Sequence, residues 1–308
     1  MRRDLTHQVT AAAVSATAVA TASLVAYYGY WQGQERSRIL AGSQMIETAS
    51  GPVEYVALGP VVAPPVLILH GSPGGYDQAE LFARRNGLDS VARVLAPSRP
   101  GYLRTPLGEC VDAATEADVL ADFLTAYGVE RVVVLGISGG GPAALEFAAR
   151  HRDRCDGLIL LAAISRPETE AQIYARMPVL QRIATQIADR TVQTNVGPFV
   201  LTHVLRGERN QDLRDGLERV TRWDLRREGY RRDMRQIESD HLDVAALSGL
   251  RTLIVHGTRD VDVPLSQAQE TAELLPWAQV ELVEGADHLS IWGRAEAADA
   301  VKAFLTRR

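Results

Sequence analysis

Cysteine is nearly missing from this sequence: 308 residues contain only Cys110 and Cys155. Neither stands in a short Cys/His spacing, so a zinc site finds no ligand set. The two can pair or remain as lone buried thiols, and they do not reveal the redox compartment. Lysine is scarcer still. Lys302 stands alone, the other basic residues are arginines, and 38 acidic residues outnumber the 33 basic ones. The net charge of −5 lacks the basic surplus a nucleic-acid partner favours. No dinucleotide-binding glycine fingerprint occurs, and a 23% charged fraction gives no sign of wholesale disorder. A hydrophobic fraction of 46% suits one large core, or a core domain with an inserted lid.

Charge is absent altogether from residues 8–34, "QVTAAAVSATAVATASLVAYYGYWQGQ". The length suits a bilayer span, which needs roughly 20 apolar residues. The composition suits it poorly, because Ala, Thr and Ser dominate and Leu24 is the only leucine. Tyr27, Tyr28, Tyr30 and Trp31 resemble an interfacial aromatic belt. Arg2 and Arg3 with "AVA" at 18–20 fit a cleaved signal instead. Three readings of residues 1–37 stand: a membrane anchor, an export signal, or an Ala-rich leader on a cytoplasmic protein. The first two place the main domain at a membrane or outside the cell.

From residue 43 onward, short apolar runs recur between Gly and Pro punctuation. "SQMIET" and "VEYVAL" flank Gly51-Pro52 as a hairpin. Further strands are expected at 66–70, 91–97, 132–136, 157–163, 252–257 and 280–285. Helical patterns fall at 76–87, 113–127, 141–151, 265–275 and 294–306. The class is therefore α/β, with a mostly parallel sheet of eight strands flanked by helices. Residues 164–247 break the alternation. They read as Arg-, Glu- and Asp-rich amphipathic helices with breaks near Pro178, Gly197-Pro198 and Gly207. This interval is expected to cap the sheet's carboxyl edge, above a core of residues 38–163 and 248–308.

The run "VVVLG" stops at "ISGGGP" (137–142). A strand that turns at once into a helix needs small neighbours and one strained residue. Gly136 and Gly140 flank Ser138 as G-x-S-x-G, the pattern that lifts a nucleophile clear of a sheet edge. The Gly139 N–H then faces a developing oxyanion at a helix N-terminus. A plain Gly-rich turn, binding phosphate or nothing, is the competing account. A serine nucleophile needs a base and an acid, in the order Ser, acid, His. "HGTRDVDVP" (256–264) offers Asp260 and Asp262, which point in opposite directions if the loop is extended. "EGADHLSIW" (284–292) offers His288, with Asp287 as its neighbour in sequence only. The loop "HGSPGG" (70–75) supplies Ser72, whose N–H is the candidate second oxyanion donor. His70 reads as a structural histidine bonded within that loop.

Taken in order, "HGSPGG", "SRPGYLRTP" (98–106), "GISGGG", "HGTRDVDVP" and "GADH" resemble the α/β-hydrolase superfamily, in its capped form, across residues 43–308. The resemblance implies a triad of Ser138, Asp260 and His288, favouring Asp260 over Asp262. It implies oxyanion donors at Ser72 and Gly139, no metal and no cofactor, and a small-molecule substrate. Arg99 and Tyr102 then order their loop. The implied reaction is cleavage of a carboxylic ester or related acyl bond. A C–C bond hydrolase, an aminopeptidase resembling the proline iminopeptidases, and a binding module of the same fold remain as alternatives. An aminopeptidase would draw on carboxylates such as Glu168, Glu170 or Asp224. Trp223 and Tyr230 line a pocket or pack the cap.

Overall fold

The computed structural model describes residues 2–204 and 219–307. It divides into two compact units, residues 1–41 and residues 42–308. The first is a single helix, α1 (Arg2–Ala41). It runs past the expected leader end at residue 37, through an Arg38–Glu35 ion pair of 2.9 Å one turn apart. Among the described residues, no helix is long and apolar enough to cross a membrane. The expected spanning helix at 8–34 thus lacks support. Its length is ample, but its Ala, Thr and Ser residues keep the apolarity low.

The second unit is built on an eight-stranded sheet. The strands are β1 (Gln44–Thr48), β2 (Gly51–Leu58), β3 (Pro65–Leu69), β4 (Arg93–Pro97), β5 (Val132–Ile137), β6 (Cys155–Leu161), β7 (Thr252–Gly257) and β8 (Gln279–Val283). Their order across the sheet is β1-β2-β4-β3-β5-β6-β7-β8. β2 runs antiparallel to both β1 and β4, and every other neighbour pair is parallel. The parallel strands therefore deliver their carboxyl ends to one edge, where ligands of open α/β sheets bind.

Strand periodicity sorts the core into two layers. Leu67, Leu69, Val132 and Val134 face α3 (Ala113–Tyr127), α4 (Gly141–Arg150) and α9 (Leu265–Leu274). Val66, Ile68, Val133, Leu135 and Ile137 face α2 (Tyr76–Arg85) and α10 (Ala295–Thr306). Burial on both faces explains why these strands read as continuous apolar runs. The helix ends follow local chemistry as well. The Asp112 carboxylate caps α3 by accepting from the Thr115 N–H at 2.8 Å, and Gly128 ends it at φ 76°. Cys110 and Cys155 are both buried and both free.

Between β6 and β7 lie α5 (Glu170–Arg176), α6 (Val179–Val192), α7 (Val196–Val204) and α8 (Arg227–Gln236). Among the described residues this interval has no strand. Pro178 separates α5 from α6 as expected, but Gly197-Pro198 falls inside the first turn of α7. Proline is tolerated there because a first-turn N–H has no helical partner to lose. The break expected at Gly207 lies outside the described residues.

Candidate active site

Ser138 follows β5 immediately and adopts φ 50°, a left-handed conformation that costs a residue with a Cβ about 1–3 kcal/mol. The surroundings hold it there. All six residues of β5 are buried, and the Ser138 carbonyl accepts from the Ile164 N–H at 3.0 Å. The flanking glycines are required by space. A Cβ on Gly136 would lie 2.7 Å from the Ala144 Cβ, and one on Gly140 would lie 2.5 Å from the Leu69 carbonyl oxygen. The G-x-S-x-G pattern is therefore a packing constraint on a turn that leads within three residues into α4.

His288 follows β8, and its Nε2 lies 3.0 Å from the Ser138 Oγ. Its Nδ1 lies 2.7 Å from the Asp260 Oδ2. With Nδ1–H donating to that carboxylate, Nε2 presents its lone pair and Ser138 donates to it. The other Asp260 oxygen accepts from the Asp262 and Val263 N–H groups at 3.0 and 2.8 Å. Those two bonds correct one expectation. The loop turns back on Asp260 instead of running extended, so Asp262 does not point away. Ligand atoms of Asp260, Asp262 and His288 lie within 4.8 Å of one another. The hydrogen bond nevertheless goes to Asp260. Asp287 accepts from the Leu289 and Ser290 N–H groups at 3.2 and 2.8 Å, ordering the turn after His288. Burial by itself would lower the His288 pKa. The Asp260 hydrogen bond and charge, aided by Asp262 and Asp287, outweigh it and raise the imidazole above 6.5.

Ser72 is brought against Gly139. A Cβ on Gly139 would lie 3.0 Å from the Ser72 Cβ and 3.3 Å from its backbone nitrogen. All five residues expected at the site thus come together at the carboxyl edge of β3, β5, β7 and β8. His70 is bonded locally: its Nδ1–H donates to the Gly71 carbonyl at 2.8 Å, and its Nε2 accepts from the Arg99 N–H at 3.0 Å. Burial, then the Arg99 charge, push its pKa well below 6.5, consistent with a neutral ring.

Behind this loop Arg99, expected to order its own loop, belongs to a larger set of buried charges. The Arg99 guanidinium grips the Asp233 carboxylate with bonds of 2.9 and 3.0 Å and reaches Glu116 at 2.6 Å. Arg232 bonds Asp233 at 2.8 Å and Glu116 at 2.9 Å. All four side chains are at most 1% exposed. Arg226 pairs with Asp77 at 2.9 Å, also buried, and donates to the Gly74 carbonyl at 2.5 Å. A weak signal existed in "REGYRRDMRQ". Gly229, Arg232, Asp233 and Gln236 recur at helical spacing, and they are the inward face of α8. A reading that buries the apolar stripe turns that helix the wrong way.

Of the carboxylates suggested for an ammonium, Glu168 is buried and paired with Arg176, and accepts from Gln267 at 3.1 Å. Asp224 is engaged by Arg222 at 2.5 Å and by Asn195 at 2.9 Å. The Glu170 side chain lies outside the described ones. Trp223 and Tyr230 pack edge to face, centroids 5.0 Å apart.

Comparison with known proteins agrees with this fold. A family model described as the alpha/beta hydrolase fold matches residues 64–295. The uncharacterized hydrolase YcgS of Bacillus subtilis is 26% identical over 278 residues, 83% of this chain and 94% of the relative. A 2-hydroxymuconate semialdehyde hydrolase of Pseudomonas putida is 25% identical over 247 residues, 76% of this chain and 83% of that one. Among solved structures, an alpha/beta hydrolase fold protein from Nakamurella multipartita superposes with a TM-score of 0.66 at 26% identity. That match covers 85% of this chain and 98% of the other.

Proposed function

Because the chain belongs to the α/β-hydrolase fold family, we propose that it is a serine hydrolase that cleaves a carboxylic ester, or a related acyl bond, of a small and largely apolar molecule. The observation that carries this reading is the continuous chain from the strained Ser138 through His288 to Asp260, at 3.0 and 2.7 Å. Such a chain gives a hydroxyl a base and gives the base a counter-charge.

His288 Nε2 takes the Ser138 proton as Oγ attacks the acyl carbon. Asp260 holds the ring in the required tautomer and stabilises the imidazolium that forms. The Ser72 and Gly139 N–H groups receive the oxyanion, and the α4 N-terminus behind Gly139 favours its charge. His288 then donates the proton to the departing alcohol. Water enters and attacks the acyl carbon as His288 takes its proton. His288 then returns that proton to the departing Ser138 Oγ, releasing the acid and restoring the starting state.

The test is labelling with a fluorophosphonate probe, set beside turnover of short- and long-chain p-nitrophenyl esters. Wild type is expected to label and turn over. Ser138→Ala is expected to lose labelling completely and turnover by on the order of 10⁶-fold. Labelling that persists in Ser138→Ala, or folded wild type that neither labels nor cleaves any ester, would end this reading. Activity confined to a vinylogous diketone would replace it with C–C bond hydrolysis.

A further inference from the structure

The buried cluster of Arg99, Glu116, Arg232 and Asp233 takes no part in the chain from Ser138 to Asp260. Stability alone explains it poorly, because buried ion pairs often gain nothing over apolar side chains of the same size. One face of the cluster is turned towards the site. The Ser72 hydroxyl donates to the Asp233 Oδ2, and the Tyr102 hydroxyl donates to the same oxygen at 2.5 Å. Tyr102 also lies 3.3 Å from the Ser72 Oγ. We propose that Asp233 is a positioning residue for the oxyanion donor: by accepting from the Ser72 hydroxyl, it fixes the peptide whose N–H meets the developing charge. This rests on the serine-hydrolase reading.

The arrangement requires Asp233 to remain an acceptor. A lone buried carboxyl tends to take up a proton and become a donor. Two guanidiniums prevent that, Arg99 with a pair of bonds and Arg232 from the other side. Ser72 is then held between two walls, Asp233 behind its hydroxyl and Gly139 against its Cβ. The rest of the loop is tied as well. Arg226 holds the Gly74 carbonyl, and the Gly71 N–H donates to the Gln78 Oε1 at 2.7 Å. Asp233 and Arg226 both come from the interval between β6 and β7. That interval therefore sets an element of the reaction without any of its residues having to touch the reacting atoms.

The proposal turns on Ser72→Ala, which removes the hydroxyl link but leaves the N–H in place. The expected result is a fall in kcat of about 10–100-fold on a p-nitrophenyl ester, less than a lost oxyanion donor costs. KM should change little, because the affected bond strengthens only in the transition state. The acid limb of the pH profile should not move, since His288 is untouched. Asp233→Asn should show the same kcat loss, and the double variant no more than either single one. Should Asp233→Asn fail to fold, Ser72→Ala decides by itself. Wild-type kcat in Ser72→Ala, a shifted acid limb, or losses that multiply in the double variant would each overturn the positioning role while leaving the hydrolase reading standing. Wild type inert to both ester and fluorophosphonate defeats the hydrolase reading and takes this proposal with it.

Discussion

Asp260 and Asp233 are both buried carboxylates that accept a donor from the site, yet their surroundings differ in kind. Asp260 is held by two backbone N–H groups and by the His288 imidazole, a ring that can gain or lose a proton. Asp233 is neutralised permanently by Arg99 and Arg232. Burial would raise its pKa, but those two guanidiniums and the Ser72 and Tyr102 hydroxyls outweigh it and hold the carboxyl low, near 2. The first carboxylate can answer a change of charge. The second can only hold geometry. One molecule thus places a responsive acid against His288 and a locked one against Ser72.

The largest effect that sharpens this contrast is expected from Asp260→Asn. Losing the carboxylate should lower kcat by about 10⁴-fold, because the imidazole loses both its tautomer and its counter-charge. Asp262→Asn should cost less than about threefold, as an exposed charge near the ring is screened by water. It should nevertheless move the acid limb of kcat/KM to lower pH, since Asp262 helps to raise His288. If Asp262→Asn costs as much as Asp260→Asn, the responsive acid has been misassigned.

The pH profile of wild type comes next. His288 must be neutral to accept a proton, and its pKa lies above 6.5. Activity should therefore rise as pH climbs through a midpoint above 6.5, and fall away below it. A midpoint under 6.5 would mean that burial, not Asp260, dominates the ring. Ser72→Ala should leave this midpoint in place, which separates the locked side of the site from the responsive side.

The two sides also differ in how legible they are in the sequence. Ser138, Asp260 and His288 stand at or soon after strand ends, and turn chemistry marks each position: glycines around Ser138, short polar loops around the other two. The expected strands and core helices match the observed ones to within a few residues, and α3 matches at both ends. Asp233 has no such marker. Its partner Ser72 is 161 residues away, and it sits on a helix whose inward face is charged. Hydropathy places charge in water, so it cannot find a helix that buries guanidiniums against carboxylates. The turn that brings Asp262 beside His288 was equally hidden, because it depends on Asp260 accepting two backbone N–H groups.

Glu146 offers an intermediate case between the two carboxylates, because its cation can titrate. His241 donates from Nδ1 to the Glu146 Oε1 at 3.0 Å and from Nε2 to the Gln236 carbonyl at 2.9 Å. Glu146 lies on α4, the helix that follows Ser138, and Gln236 ends α8, which carries Asp233. Both ring nitrogens face acceptors, so the ring satisfies both only as imidazolium. Burial would lower the His241 pKa, but the Glu146 bond and the Gln236 carbonyl outweigh it and raise the ring above 6.5. A pKa raised on folding adds stability that is complete below 6.5 and disappears as pH rises through the folded-state value. The clamp is partly open to solvent, so His241→Gln should cost about 1 kcal/mol in acid. The cost should vanish on the alkaline side, read as the difference in urea midpoint between wild type and variant across pH. Asp233→Asn should show a stability cost that stays constant over the same range, because arginine does not titrate there. A cost of Asp233→Asn that tracks pH in parallel with His241→Gln would show that the Asp233 charge is not locked, and the contrast with Asp260 would fail.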